Sequence, residues 1–189
     1  MASRNLVLGY HGCEEAIAER ILAGAEKLRP SEKPYDWLGH GAYFWEGSPA
    51  RAMDWAVDRK LSRPAVLGAV IELGNCLDLD QAEALGLVRE AYNHLRRSHE
   101  THGFPLPVNT GDKDLKKRHL DCAVIEFLHQ VQKEEARHPP FDTIRGFFIE
   151  GEPLYENAGF RKLDHVQICV RNDRCIRGFF RVRKPETFD

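Results

Sequence analysis

Tyr35-Asp36-Trp37-Leu38-Gly39-His40-Gly41-Ala42-Tyr43-Phe44-Trp45-Glu46 is the stretch on which the fold is read. Two glycines precede three consecutive aromatic residues, a pattern that predicts a glycine-hinged turn feeding a short strand. Ser48-Pro49 follows directly, and serine as N-cap with proline at the first helical position starts a helix. Ala50, Ala52, Met53, Trp55, Ala56 and Leu61 continue it as a mostly apolar face. Upstream, Pro30, Ser31 and Pro34 make a loop, and residues 13–25 carry Ala16, Ile17, Ile21 and Leu22 at helical spacing up to a stop at Gly24. The apolar run from Asn5 to Tyr10, ended by His11-Gly12, predicts a buried strand running into a tight turn.

Downstream, residues 65–73 pack Val66, Leu67, Val70 and Ile71 between Pro64 and Gly74, the strongest strand pattern in the chain. Residues 79–137 differ in character. They show helical periodicity, charge and a break at 102–111, with Leu115, Leu120, Val124, Phe127, Leu128 and Val131 on one face of a long amphipathic helix. After Pro139-Pro140, strands are predicted over 141–149, 165–170 and 176–182. Strands at both ends with a helical insert at about 79–137 describe a single α+β domain over residues 1–189 better than a regular strand-helix alternation.

A chain of 189 residues, 42% hydrophobic and 30% charged, has globular composition and room for one sizeable core. Its net charge of −2 argues against coating nucleic acid through bulk charge. No apolar run approaches the ~18 residues of a membrane span, and the first residues do not resemble a signal sequence, so a cytoplasmic protein without membrane attachment is expected. Five scattered cysteines without a Cys-x-x-Cys pair suggest reduced thiols, neither a disulfide framework nor a thiolate zinc site. His94, His99 and His102 lack a matched ligand constellation and read as surface histidines, so no metal is expected.

Two clusters carry chemistry. Tyr10-His11-Gly12 sets an imidazole beside a glycine, offering a side-chain hydrogen-bonding group and approachable backbone. In Gly39-His40-Gly41-Ala42-Tyr43-Phe44-Trp45-Glu46, followed by Trp55, aromatic faces beside glycines suit a planar heterocycle or, equally, a packed core. In this order the clusters resemble the NAD-binding half of ADP-ribosyltransferases of the diphtheria-toxin and poly(ADP-ribose)-polymerase type. There, a Tyr-His-Gly element is followed by Gly-x-Gly-x-Tyr-Phe and then by a helix supplying another aromatic. The resemblance covers residues 5–73 clearly and 141–182 more faintly, and implies a split β-sheet core.

By that resemblance, Tyr10, His11, Gly12, Tyr43, Phe44, Ser48 and Trp55 form the NAD site. His11 would bond the adenosine-side ribose, Gly12 backbone and Ser48 the nicotinamide carboxamide, and Tyr43 with Trp55 would sandwich the ring. The family's third motif is a glutamate opening a late strand. Here His165-Val166-Gln167-Ile168-Cys169-Val170 places Gln167 there, a neutral group unable to supply negative charge to an oxocarbenium-like state. Glu150 is the preferred replacement acid, ahead of Glu152 and Glu46.

The implied activity is transfer of ADP-ribose from NAD, with NAD as substrate, to a nucleic-acid or protein acceptor. A toxin-like or defence role would call for a neutralising partner protein. The alternative is a catalytically weak module that binds NAD or ADP-ribose. Residues 89–119 hold seven cations (Arg89, Arg96, Arg97, Lys113, Lys116, Lys117, Arg118) against four carboxylates, and Arg171, Arg174, Arg177, Arg181, Arg183 and Lys184 follow late in the chain. These suit a nucleic-acid acceptor if they share one groove and a solvated face if they do not. An RNA 2′-phosphotransferase use of NAD ranks last, for want of its paired arginines and histidine.

Overall fold

The elements run in the order β1 (Leu6–Glu14), α1 (Glu15–Leu22), β2 (Ala42–Glu46), α2 (Pro49–Asp58), β3 (Pro64–Glu72), β4 (Cys76–Asp78), α3 (Ala82–His102), α4 (His119–Glu135), β5 (Thr143–Phe148), β6 (His165–Val170) and β7 (Ile176–Arg181). The structure is a computed structural model that describes residues 5–135 and 139–183. Its strands form one sheet in the order β4-β5-β6-β2-β1-β3-β7, with β4-β5 parallel and the other neighbours antiparallel. The domain is therefore mixed, with α3 and α4 inserted between the edge strand β4 and β5. No helix among the described residues is long and apolar enough to cross a membrane.

Two local expectations are corrected and one strand is added. The first strand does not turn at His11-Gly12 but continues to Glu14, because β3 pairs with it residue for residue from Leu6↔Glu72 to Glu14↔Pro64. Leu115 lies outside the helix that holds Leu120 to Val131, in the 103–118 connection, with φ of 47°. The short strand β4 was not anticipated: three residues carry too little periodicity to stand out, and its partner Thr143–Arg145 is distant in sequence.

Strand parity sorts the core. Leu77, Ile144, Phe148 and Cys169 face α3 and α4, meeting Ala91, Leu95, Val124, Ile125 and Leu128. The opposite face buries Phe44, Ala69, Ile71, Ile168 and Val170, while Cys13 and Leu67 meet Ala18 and Ile21 of α1. Between them the sheet has a weak seam. β1 pairs with β2 only at Gly9↔Glu46 and Tyr10↔Trp45, against nine register pairs with β3. At the seam the side chains of its neighbours close over Gly9: a Cβ there would stand 2.5 Å from Ile71 Cδ1 and 2.9 Å from Phe44 Cβ. Only glycine leaves room for those two side chains at that point.

Candidate functional site at the sheet seam

Where the β1-β2 backbone ladder stops, His11 takes over. Its Nδ1 lies 2.8 Å from the Tyr43 carbonyl oxygen. A carbonyl only accepts, so Nδ1 carries the proton, and Nε2 of the neutral ring is an acceptor. Burial holds the imidazole below the usual histidine range, outweighing the upward pull of that hydrogen bond. The first and second motifs are thus stitched together by the histidine of one and the backbone of the other.

Gly12 is fixed by packing. A Cβ at this position would stand 2.2 Å from the Ala52 carbonyl oxygen, so only glycine lets α2 lie across β1. Ser48 caps α2, its Oγ accepting from Arg51 N at 3.4 Å. Tyr43 is held by its hydroxyl, which accepts from Leu38 N at 2.8 Å and donates to Gly39 O at 2.6 Å. Burial raises the Tyr43 phenol well above its ordinary range, so it stays protonated as that donor.

Parity in the sheet decides which side chains share a face. Tyr10, Trp45 and Gln167 form one row across β1, β2 and β6, and Tyr43 lies on the same face two residues along β2 from Trp45. His11 belongs by parity with Phe44, to whose ring it lies 5.8 Å, and reaches the seam from the opposite side. Phe44 is fully buried in the core and offers no surface to a ligand. The ring facing Trp55 is Trp45, at 5.9 Å between centroids, and Arg59 covers Trp55 at 5.2 Å. Tyr10 meets Phe180 edge-on at 6.1 Å.

The third motif has more structure than sequence reading supplied. Gln167 Nε2 lies 3.0 Å from His165 Nε2, and His165 Nδ1 lies 2.6 Å from Leu163 O and 3.7 Å from Glu150 Oε2. Glu150 is buried and tied on both oxygens, Oε2 to Arg51 at 3.0 Å and Oε1 to Lys116 at 3.6 Å. Gln167 and Glu150 therefore both lie beside His165, which sequence reading passed over as a strand residue, the first within hydrogen-bond distance and the second at 3.7 Å. Trp37 Nε1 donates to Lys116 O at 3.0 Å, and the Arg118 guanidinium stacks on Trp37 and Phe148 at 4.2 and 4.9 Å. The other two carboxylates are engaged elsewhere: Glu46 with Arg145 at 2.7 Å, and exposed Glu152 with Lys113 at 2.5 Å.

Five of the basic residues are paired with carboxylates. Arg96 pairs with Glu100, Arg118 with Asp121, Arg171 with Glu126, Arg177 with Glu72 and Arg181 with Glu19. Lys184 lies outside the described residues. A hollow of about 920 Å³ is lined among others by His129, Phe141 and Arg171, the last of which donates to His40 O at 3.0 Å, and by none of the proposed NAD-contacting residues. All five cysteines are unpaired thiols. No group of three or more His, Cys, Asp or Glu among the described residues is arranged to hold a metal ion.

No protein-family model matches the chain. It is similar to an uncharacterised protein, MJ0359, of Methanocaldococcus jannaschii, with 27% identity over 194 aligned positions that take in 89% of this chain and 83% of the archaeal one.

Proposed function

We propose that the chain is an NAD-dependent ADP-ribosyltransferase built on the split-sheet core of that superfamily. The observation that carries the reading is the seam, where His11 of the first motif bonds the backbone of Tyr43 in the second and β6, bearing Gln167, lies next to β2. In the reaction the bond between ribose C1′ and the nicotinamide nitrogen breaks, and nicotinamide leaves with the electron pair. An acceptor nucleophile then attacks the oxocarbenium-like C1′ and gives up its proton. The Tyr43 ring, with its hydroxyl anchored, stacks on nicotinamide, with Trp55 and its neighbour Trp45 closing the other side. Gly12 and Ser48 hold the carboxamide. His11 Nε2 and the Gln167 side chain accept from ribose hydroxyls, fixing the glycosidic bond for attack.

A second reading, an NAD- or ADP-ribose-binding module with little turnover, is favoured by one specific observation. Gln167 is neutral, and the nearby Glu150 carboxylate is already neutralised by Arg51 and Lys116. Nicotinamide release from NAD by purified protein, with and without cell extract and beside Tyr43→Ala, tests both. Release that Tyr43→Ala abolishes supports the transferase; NAD binding without release supports the module. Absence of both binding and release overturns the two readings together. Radiolabel from the adenylate of NAD that enters a nuclease-sensitive fraction identifies a nucleic-acid acceptor, and a protease-sensitive one a protein.

A further inference from the structure

We propose that His165 is a positioning residue that turns the Gln167 carboxamide so that its Oε1, and not its amide nitrogen, faces the ligand, making Gln167 a dedicated acceptor for a ribose hydroxyl. The ligand's identity rests on the NAD reading above; the orientation rests on geometry. Leu163 O can only accept, so the His165 Nδ1 lying 2.6 Å from it carries the ring proton. A neutral imidazole protonated at Nδ1 has a bare lone pair at Nε2. Only a donor suits a position 3.0 Å from that lone pair, and the one present is the Gln167 amide. The geminal Oε1 therefore points away from His165, and no described residue donates to it.

The imidazole has little freedom to reverse this. It is 5% exposed and walled by Phe148, Trp37 and Trp45, with ring centroids at 5.7, 6.1 and 6.5 Å. The charged groups facing it come from three sides: Glu150 on the segment after β5, Arg51 on α2 and Asp164 beside its own strand. Burial is the largest influence and Arg51 adds to it, holding the ring neutral against the pull of the Leu163 hydrogen bond and, more weakly, of the two carboxylates. A glutamate at position 167 would instead press a carboxylate against the His165 lone pair. The missing negative charge cannot simply be restored there unless His165 also takes up a proton.

Three measurements test the assignment on the intact chain. Long-range 15N–1H correlation spectra of the wild type at pH 7.5 are expected to show His165 protonated at Nδ1 and bare at Nε2; a proton on Nε2 overturns the proposal. In His165→Phe, which keeps a ring among Trp37, Trp45 and Phe148 but removes the lone pair, the Gln167 side-chain amide signals should move to those of a freely rotating carboxamide. In the same variant KM for NAD should rise about fivefold, the effect of one ordinary hydrogen bond, with kcat within about twofold. Unmoved amide signals together with unchanged KM overturn the role of His165 while leaving the NAD reading intact. A shifted amide in a protein whose wild type neither binds nor cleaves NAD removes NAD as the ligand and supports the orientation.

Discussion

Arg51→Met should be among the most destabilising single changes near the seam, because it abandons a buried carboxylate. Arg51 and Glu150 meet at 3.0 Å with side chains only 14% and 11% exposed. At an effective dielectric constant of about 20 their direct attraction is about 5 kcal/mol, most of it offset by the desolvation of both ions. Deleting one partner removes the attraction but leaves the other ion's desolvation in place, which costs about 3–5 kcal/mol. Lys116, 3.6 Å from the other Glu150 oxygen and 53% exposed, remains and returns about 1 kcal/mol of that. The expected loss is therefore about 3 kcal/mol, read as a lower urea midpoint at pH 7.5 with an unchanged m-value. Glu150→Gln should cost about 2 kcal/mol, since Arg51 keeps only the exposed Asp54 at 3.7 Å. The double variant should cost about 2 kcal/mol, not the sum of about 5, giving a coupling of about 3 kcal/mol. A cost below about 1 kcal/mol for Arg51→Met, or singles that add within about 0.5 kcal/mol, would refute the buried-pair reasoning. The same variants separate chemistry from scaffold. If Glu150 supplies the missing acid, Glu150→Gln loses nicotinamide release even where it is fully folded; if the pair is structural, release survives.

Gly12→Ala should cost about 3 kcal/mol by urea unfolding, because its Cβ would lie 2.2 Å from the Ala52 carbonyl oxygen and α2 would have to retreat; a cost under 1 kcal/mol, on the order of a surface change, would mean that α2 does not pack there as described. Tyr43→Phe should lower stability by about 2 kcal/mol, leaving Leu38 N–H unpaired and Gly39 C=O with only the weak Cys169 S–H donor at 3.7 Å, yet keep KM for NAD within about threefold, whereas Tyr43→Ala removes turnover. Equal loss of turnover in both would place the hydroxyl, not the ring, in the reaction. His129 is buried, both ring nitrogens lack a partner, and burial, with Arg171 adding, lowers its pKa from 6.5 to about 4. Since the unfolded chain takes up the proton first, stability should fall as pH drops from about 6.5 towards 4, by about 1.4 kcal/mol per unit at most from this residue, with His11 and His165 acting in the same direction. His129→Leu should flatten that acid limb and raise the thermal midpoint at pH 5; an unchanged acid limb would assign the pH dependence to other groups.

Much of the fold was legible because local chemistry repeats itself along the chain. Ser48-Pro49 announced α2 through capping alone, and the apolar run bounded by Pro64 and Gly74 announced β3. The two motifs were legible as Tyr-His-Gly and Gly-x-Gly-x-Tyr-Phe because their residue types and order are unusual. His11-Gly12 was misread as a turn, since glycine after a strand ordinarily ends it. Here the glycine answers to α2, a helix some forty positions away along the chain, whose carbonyl occupies the space of a Cβ. Nor did any local pattern mark His165, whose place in the site follows only from Leu163, Gln167 and Glu150 converging on its ring.

The sequence by itself determined the order of the elements other than β4, the helical insert, the cap of α2, the two motifs and the neutrality of position 167, all properties that depend on residues within a few positions of one another. The tertiary structure alone decided that the sheet is barely stitched between β1 and β2, that His11 closes that gap onto Tyr43, and that Glu150 is spent on Arg51 and Lys116. Those are facts about groups distant in the chain, and the directed hydrogen bonds and desolvated charges that fix them acquire their strength only once folding has brought the partners together and removed the water between them.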